Sequence, residues 1–200
     1  RGLSAKEFSF VAKGPQDAGV TTVVVNYALC PKVTMDEIIR QIRAAIHWTY
    51  SNIGDFNGDP ERLYVSGHSA GAHLAAIAML TDWQDDYDLP RDVVKGGICI
   101  SGIYDLTPLQ YSFLQEDIRL DRASIDRNSP IYNIGYVPSP LLITYGEDES
   151  SEFCRQSEDF RAAWTASGNK SRFLAQPGMN HFTAISGFKD RESPLCGAIF

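Results

Sequence analysis

The pentapeptide Gly-His-Ser-Ala-Gly at residues 67–71 constrains the fold more than any other feature of this 200-residue chain. The residues before it have the pattern of a short buried strand, and the Ala-rich run after it has the pattern of a helix. A Gly-x-Ser-x-Gly sequence at such a junction is typical of a nucleophile elbow, which exposes a serine hydroxyl at the carboxyl edge of a parallel sheet. Gly67 and Gly71 are expected to permit the tight turn and the close packing of the helix. Ser69 is therefore the candidate nucleophile, and an ordinary structural turn is the alternative.

Strand patterns alternate with helix patterns along the whole chain. Strands are predicted over residues 21–27, 63–66, 96–102, 140–145 and 172–175. The β-branched run 21–27 has the continuous apolar character of a strand buried on both faces. The alternation indicates an α/β class with a mostly parallel sheet and helices on both faces. One domain over residues 1–200 suits this length.

Helices are predicted over residues 35–52, 72–80, 151–167 and from 193 to 200. The first begins at a capping box formed by Thr34 and Glu37, and the third ends at Gly168, which is expected to act as its C-cap. Between these helices and the strands we expect an acidic loop over 83–92 and a series of short helices and loops over 104–136.

Charge and cysteine content restrict the partners and the compartment. A net charge of −7 argues against nucleic acid or an anionic membrane as the main partner. No apolar run approaches the ~18 residues that span a bilayer. The 4 cysteines are far apart and lack metal-ligand spacing, which favours reduced thiols in a cytoplasmic protein over two disulfides in a secreted one. We expect a small-molecule substrate and neither metal nor cofactor, and leave a homodimer open.

A serine nucleophile needs a base to take its proton and an acid to orient that base. His181 lies in a turn-rich loop after the last predicted strand, where such a base is expected to follow the serine and the acid in chain order. His47 lies in the first long helix, His68 within the elbow and His73 one turn into the elbow helix. His47 is interpreted as a packing or surface residue and His73 as a structural one, while the side chain of His68 is expected to point away from the serine hydroxyl.

Three consecutive carboxylates, residues 147–149, follow the strand predicted over 140–145. Glu149, three residues after the glycine that closes the strand, is the first candidate for the acid. Asp148 is the alternative, because its shorter side chain resembles the commoner acid. Glu147 fits a solvated turn, and Asp105 follows an earlier strand too close to Ser69 in the sequence.

An oxyanion formed by attack on a carbonyl needs hydrogen-bond donors. The backbone N–H of Ala70, at the start of the elbow helix, is the donor that this sequence offers. The positive end of the helix dipole favours negative charge at the same place.

Several segments together resemble the kynurenine formamidase (arylformamidase) branch of the α/β-hydrolases, which is related to the hormone-sensitive-lipase-like esterases. The resemblance covers nearly the whole chain and is carried by residues 26–31, 67–74, 101–106, 146–153, 155–157 and 180–182. The resemblance implies an α/β-hydrolase fold with Ser69 as nucleophile, Glu149 as acid and His181 as base. The family more often has aspartate as the acid, so the choice between Asp148 and Glu149 stays open.

The resemblance also implies hydrolysis of an aryl formamide, N-formylkynurenine, through a formyl-serine intermediate. A general short-chain carboxylesterase and a non-catalytic binding protein are the alternatives. Tyr104, Tyr111 and Phe113 are the candidate wall residues of the aryl pocket, with a place in the hydrophobic core as the alternative for each. The oxyanion motif of the family, His-Gly-Gly-x-Trp followed by arginine, is expected upstream with Arg1 as its last residue, so the first strands of the fold would precede this chain.

Overall fold

The computed structural model describes residues 4–200 and contains a four-stranded parallel sheet. Its strands are β1 (Leu63–His68), β2 (Val94–Ile100), β3 (Leu141–Gly146) and β4 (Ser171–Gln176), in the spatial order β1-β2-β3-β4. All three pairings are parallel. The α/β class and the parallel sheet are thus confirmed, with each of these strands within two residues of its predicted bounds. The prediction for Arg1 lies outside the described residues.

Eight α-helices connect or flank the strands in the described part of the chain. They are α1 (Lys13–Asp17), α2 (Met35–Asn52), α3 (Ala70–Leu80), α4 (Trp83–Tyr87), α5 (Gln115–Ile118), α6 (Arg122–Asn128), α7 (Ser151–Ala166) and α8 (Pro194–Gly197). Short 3₁₀-helices span Ser9–Ala12, Ile53–Phe56, Pro60–Arg62, Thr107–Tyr111, Pro130–Tyr132 and Ala184–Lys189. Across residues 4–200, no helix is both long enough and apolar enough to traverse a lipid bilayer.

Alternating side chains of the strands face two separate hydrophobic cores, because successive residues of a strand point to opposite faces. Cys99 and Ile143 face the core that contains α3 and α7. Ile98 and Ile100 face a second core built from the 3₁₀-helix Ala184–Lys189, α8 and the segment around residues 8–11. Helical segments therefore cover both faces of the sheet, as predicted.

Helix α2 has the bounds that its amphipathic pattern predicts. The Thr34 hydroxyl accepts a hydrogen bond from the Glu37 N–H at 3.3 Å, which satisfies one free donor of the first turn. The Glu37 carboxylate instead accepts hydrogen bonds from Arg40 and Gln41, so only half of the predicted capping box forms. The buried face of α2 packs on α3, with Ile38 against the elbow helix.

The strand predicted over residues 21–27 is wrong. These residues form no regular element, and Val23 and Val25 are 43% and 36% exposed. A β-branched sequence becomes a strand only when a neighbour completes its hydrogen bonds, and within residues 4–200 β1 pairs with β2 alone. The tertiary partner, rather than the local propensity, decides the structure of this segment.

Two smaller differences concern helices. The predicted acidic loop contains the short helix α4, whose N-cap Asp82 accepts a hydrogen bond from the Asp85 N–H at 3.1 Å and whose Trp83 is buried in the core. The predicted final helix shortens to α8, which begins after Ser193. Gly168 has a φ of +80° just beyond α7, as expected of a residue that ends a helix.

Candidate active site

Four side chains of the candidate site lie where the four strands end. Ser69 follows β1 directly, Ser101 follows β2, Glu149 lies three residues after β3 and His181 lies in the loop after β4. Because the strands are parallel, these positions share one edge of the sheet, the edge at which open α/β sheets bind ligands. The sheet thus collects residues that are far apart in the sequence.

The elbow holds Ser69 in a strained conformation. Its φ of 58° and ψ of −119° lie outside the regions that a non-glycine residue prefers, and its N–H donates to the Ile100 carbonyl at 2.9 Å. A Cβ at Gly67 would lie 2.0 Å from the Gly71 carbonyl oxygen, so only glycine fits there. At Gly71 itself a Cβ would meet nothing within 4 Å, and the predicted steric requirement for that glycine is wrong.

Ser69, His181 and Glu149 form a continuous chain of hydrogen bonds. The Ser69 Oγ lies 3.0 Å from His181 Nε2, and His181 Nδ1 lies 2.8 Å from Glu149 Oε2. A carboxylate can only accept, so Nδ1 carries the proton and donates it to Glu149. Nε2 therefore has a free lone pair and accepts the hydrogen bond from the serine hydroxyl. This arrangement can move a proton from Ser69 to His181 while Glu149 fixes the tautomer.

The Glu149 carboxylate is fully enclosed and well supplied with donors. Its side chain is 0% exposed, and Oε1 accepts from the Ser101 hydroxyl at 2.5 Å and from the Gly146 N–H at 2.7 Å. Burial acts to raise the pKa of this carboxyl, but the hydrogen bonds from His181, Ser101 and Gly146 outweigh it and hold the pKa below its usual value. The group is ionised at neutral pH. Asp148 is exposed, so the geometry favours Glu149 of the two candidates.

Sequence reasoning missed the contact that Ser101 makes with the acid. Ser101 is 0% exposed and has a φ of 51°, which turns the chain at the end of β2 toward the neighbouring strand. The available signal was its position next to the last residue of the strand predicted over residues 96–102. Its partner lies 48 residues away in the chain, beyond the reach of any local pattern.

Aromatic rings surround His181. Phe153 stacks on the imidazole with ring centroids 4.0 Å apart, and Phe182 meets it edge-on at 5.7 Å. Phe182 is 83% exposed, so a ligand can reach its face. The approach of the loop to β3 depends on Gly146, where a Cβ would lie 2.1 Å from the Met179 carbonyl oxygen.

The other three histidines have distinct places. His47 is exposed on α2. His73 is buried, and its Nε2 donates to the Asn128 carbonyl at 2.7 Å, while burial lowers its pKa. His68 Nε2 donates to the main-chain oxygen of His181 at 2.7 Å. Of the four, His181 has the ring nitrogen that meets Ser69 Oγ.

The remaining predicted residues lie in varied environments. Ala70 is exposed at the first position of α3, where backbone N–H groups lack partners within the helix. Asp105 accepts a hydrogen bond from the Thr107 N–H at 2.8 Å, as a turn residue does. Tyr104 is wrong as a wall residue, because it is 0% exposed and stacks on Phe160 in the core at 4.1 Å.

Tyr111 and Phe113, the other two predicted wall residues, are 86% and 74% exposed. Both belong to the segment that follows β2, and Tyr111 ends the 3₁₀-helix Thr107–Tyr111. Over residues 4–200 the histidines, cysteines and acids form no group of three or more that could hold a metal ion.

A parallel sheet with a serine on a strand-to-helix elbow is the architecture of the α/β-hydrolases. Residues 7–185 match the family described as the alpha/beta hydrolase fold, and this chain belongs to it. The fold implied by the sequence resemblance is thereby confirmed. The esterase of Pyrobaculum calidifontis has the same fold, with a TM-score of 0.81 and 17% identity over 98% of this chain and 70% of its own.

The resemblance to kynurenine formamidases is also confirmed. The kynurenine formamidase of Salmo salar is 32% identical over 199 residues, which cover 96% of this chain and 66% of that protein. Esterase LipQ of Mycobacterium tuberculosis is 29% identical over 82% of this chain and 43% of its own length. This chain thus matches only part of its relatives, since it spans about two thirds of the length of the Salmo salar protein.

Proposed function

We propose that this chain carries the catalytic machinery of a serine hydrolase that cleaves aryl formamides of the N-formylkynurenine type. The observation that carries the proposal is the hydrogen-bonded chain from Ser69 through His181 to the buried carboxylate of Glu149, with separations of 3.0 and 2.8 Å. The formamide class rests on the likeness to the kynurenine formamidase of Salmo salar.

The first half of the reaction acylates the serine. Ser69 Oγ attacks the formyl carbon as His181 Nε2 takes the hydroxyl proton, and the negative charge of Glu149 stabilises the imidazolium. The Ala70 N–H donates to the oxyanion at the start of α3, where the helix dipole favours negative charge. The imidazolium then protonates the amide nitrogen, the C–N bond breaks and the arylamine leaves.

The second half releases formate. Water enters beside His181, which removes one of its protons as the oxygen attacks the formyl-serine carbonyl. Collapse of the tetrahedral intermediate breaks the bond to Ser69 Oγ, which regains its proton from the imidazolium. The ionised state of Glu149 at neutral pH keeps the imidazole in the required tautomer in both halves.

An aryl leaving group suits the surroundings of the base. The leaving nitrogen must come within hydrogen-bond reach of His181 Nε2, so a ring attached to that nitrogen lies within a few ångströms of the imidazole. The exposed face of Phe182 is available there, with its centroid 5.7 Å from that of His181. Aromatic pairs of this kind contribute about 0.5–1.5 kcal/mol beyond area burial.

The test compares kcat/KM of the intact protein for N-formylkynurenine and for p-nitrophenyl acetate, with Ser69→Ala as the inactive control. A clear preference for the formamide supports the proposal. A strong preference for the acetate ester would favour instead a general short-chain carboxylesterase, an alternative in keeping with the similarity to Esterase LipQ. Failure of a fluorophosphonate to label Ser69 in the folded protein would favour a non-catalytic binding protein.

A further inference from the structure

The loop that carries His181 must cross the edge of the sheet to reach Ser69. Ser69 follows β1 and His181 follows β4, which are the outer strands of the sheet formed by residues 4–200 and lie three strand spacings apart. At about 4.8 Å per spacing, this separation is roughly 14 Å. The loop between residues 177 and 183 therefore extends over the ends of β3 and β2, and it needs anchors along its path.

Two anchors lie on the strand β3 side of the loop. The Asp148 N–H donates to the Met179 carbonyl at 3.0 Å, and Glu149 Oε2 accepts from His181 Nδ1. Asn180 holds the loop only locally, since its side-chain oxygen accepts from the N–H groups of Phe182 and Thr183. None of these contacts fixes the main chain of His181 relative to β1.

His68 makes that connection. Its Nε2 donates to the main-chain oxygen of His181 at 2.7 Å, and the two imidazole rings lie 4.7 Å apart. His68 directly precedes Ser69, so two adjacent residues contact His181. His68 holds its main-chain oxygen, and the Ser69 hydroxyl holds its imidazole ring. Because both contacts come from neighbouring residues, together they restrict the distance between Ser69 Oγ and His181 Nε2.

We propose that His68 is a positioning residue that keeps the base histidine within reach of the nucleophile by anchoring its main-chain carbonyl. The inference rests on the proposed function, in which Ser69 and His181 act together. Burial, together with the nearby His181, lowers the pKa of His68, so its ring is neutral at neutral pH and adds no positive charge beside the imidazolium. A neutral Nε2–H tautomer still supplies the single donor that the carbonyl requires.

Substitutions can separate the hydrogen bond from the packing of the ring. In His68→Gln the side-chain amide nitrogen occupies the place of Nε2 and can still donate. In His68→Asn the amide is one bond shorter, and in His68→Phe the ring volume remains without a donor. His47→Gln, at the exposed histidine of α2, is the matched control.

The first measurement is the rate at which a fluorophosphonate labels Ser69 in the intact protein. We expect His68→Phe and His68→Asn to slow labelling by about 10- to 100-fold, because a displacement of the order of 1 Å costs about that much. His68→Gln should remain within about threefold of the wild type, since the donor is kept. With N-formylkynurenine, the loss should fall on kcat more than on KM.

The second measurement is the proton NMR signal of His181 Nδ1–H, which does not depend on catalysis. We expect this signal in the wild type and in His68→Gln, and its broadening or loss in folded His68→Asn. Equal labelling rates and unchanged signals in all three His68 variants would overturn the inference, as would equal losses in the Gln and Asn variants. An unlabelled wild type would refute the proposed function, and the NMR comparison would still decide the role of His68.

Discussion

Ser101→Ala tests whether the second oxygen of the Glu149 carboxylate must be held for the site to work. The hydroxyl of Ser101 donates to Glu149 Oε1 at 2.5 Å, beside the Gly146 N–H at 2.7 Å, while Oε2 is left for His181. Removing the hydroxyl leaves the buried carboxylate with two of these three donors. The carboxylate can then rotate away from the imidazole.

The size of the effect follows from the charge and burial of the acceptor. A hydrogen bond to a charged group contributes about 1.5–3 kcal/mol, and the Glu149 side chain is 0% exposed, so solvent does not replace the lost donor. At about 1.4 kcal/mol per factor of ten, that range corresponds to roughly 10- to 100-fold in kcat/KM. The loss of a donor to the charged form also raises the pKa of Glu149, so the carboxylate should become protonated, and the activity that depends on its charge should be lost, at a higher pH than in the wild type.

The assay is kcat/KM for N-formylkynurenine as a function of pH, together with the rate of fluorophosphonate labelling. Ser139→Ala is the matched control, because Ser139 is also a buried serine and its hydroxyl donates to a main-chain carbonyl far from the candidate site. The acceptor is Val94, the first residue of β2, at 2.6 Å, whereas Ser101 follows the last residue of that strand. Ser101→Gly guards against a loss of folding, since glycine accepts the φ of 51° without strain.

A double-mutant cycle with Glu149→Gln decides whether Ser101 acts through the carboxylate. If it does, removal of the Ser101 hydroxyl should change little in a protein that already lacks the Glu149 charge. An equal loss in both backgrounds would refute the reasoning. Unchanged activity of Ser101→Ala, with an unchanged pH profile, would refute it as well.

Further substitutions test the choice of acid, the pH dependence of stability and the elbow. In steady-state kinetics, Glu149→Gln should lower kcat by about 10³- to 10⁴-fold, whereas Asp148→Asn should keep a kcat near that of the wild type. The opposite result would make Asp148 the acid. Because the pKa of folded Glu149 lies below 4.5, its carboxylate stabilises the fold above that pH and the contribution is lost as the pH falls through the lowered pKa. Urea unfolding of wild type and Glu149→Gln should therefore differ by an amount that shrinks only below about pH 4.5, and a constant difference would contradict this. Gly67→Ala should lower Tm because its Cβ would lie 2.0 Å from the Gly71 carbonyl, whereas Gly71→Ala should be neutral or stabilising by up to about 1 kcal/mol in thermal unfolding.

Local signals in the sequence were sufficient for the elements that define the sheet. Helix α2 has its predicted bounds because Thr34 caps it and its apolar residues repeat at helical spacing. The elbow follows from the order of strand, Gly-x-Ser-x-Gly and helix. Residues 21–27 show where such reasoning fails, since their β-branched composition cannot supply a partner strand.

The sequence predicts those residues of the candidate site whose order along the chain is typical of a serine, an acid and a histidine that act together. Ser69, Glu149 and His181 each follow a different strand in that order, and the structure brings the three together. The contact of His68 with His181 spans 113 residues and depends on how one loop crosses the sheet. Composition, periodicity and spacing carry no information on such a contact.

The proposal that Glu149 is the acid has a physical basis in the geometry of β2 and β3. Ser101 and Gly146 lie at the ends of these two adjacent strands, and both donate to the same oxygen of Glu149. Glu149, the third residue after β3, is long enough to place Oε1 beside these two donors while its Oε2 faces His181. Aspartate at that position would hold its carboxylate one bond closer to the main chain and lose contact with at least one of the three donors. The donors at the strand ends therefore suit the longer side chain of Glu149, the acid that we propose, although aspartate is the commoner residue in this role.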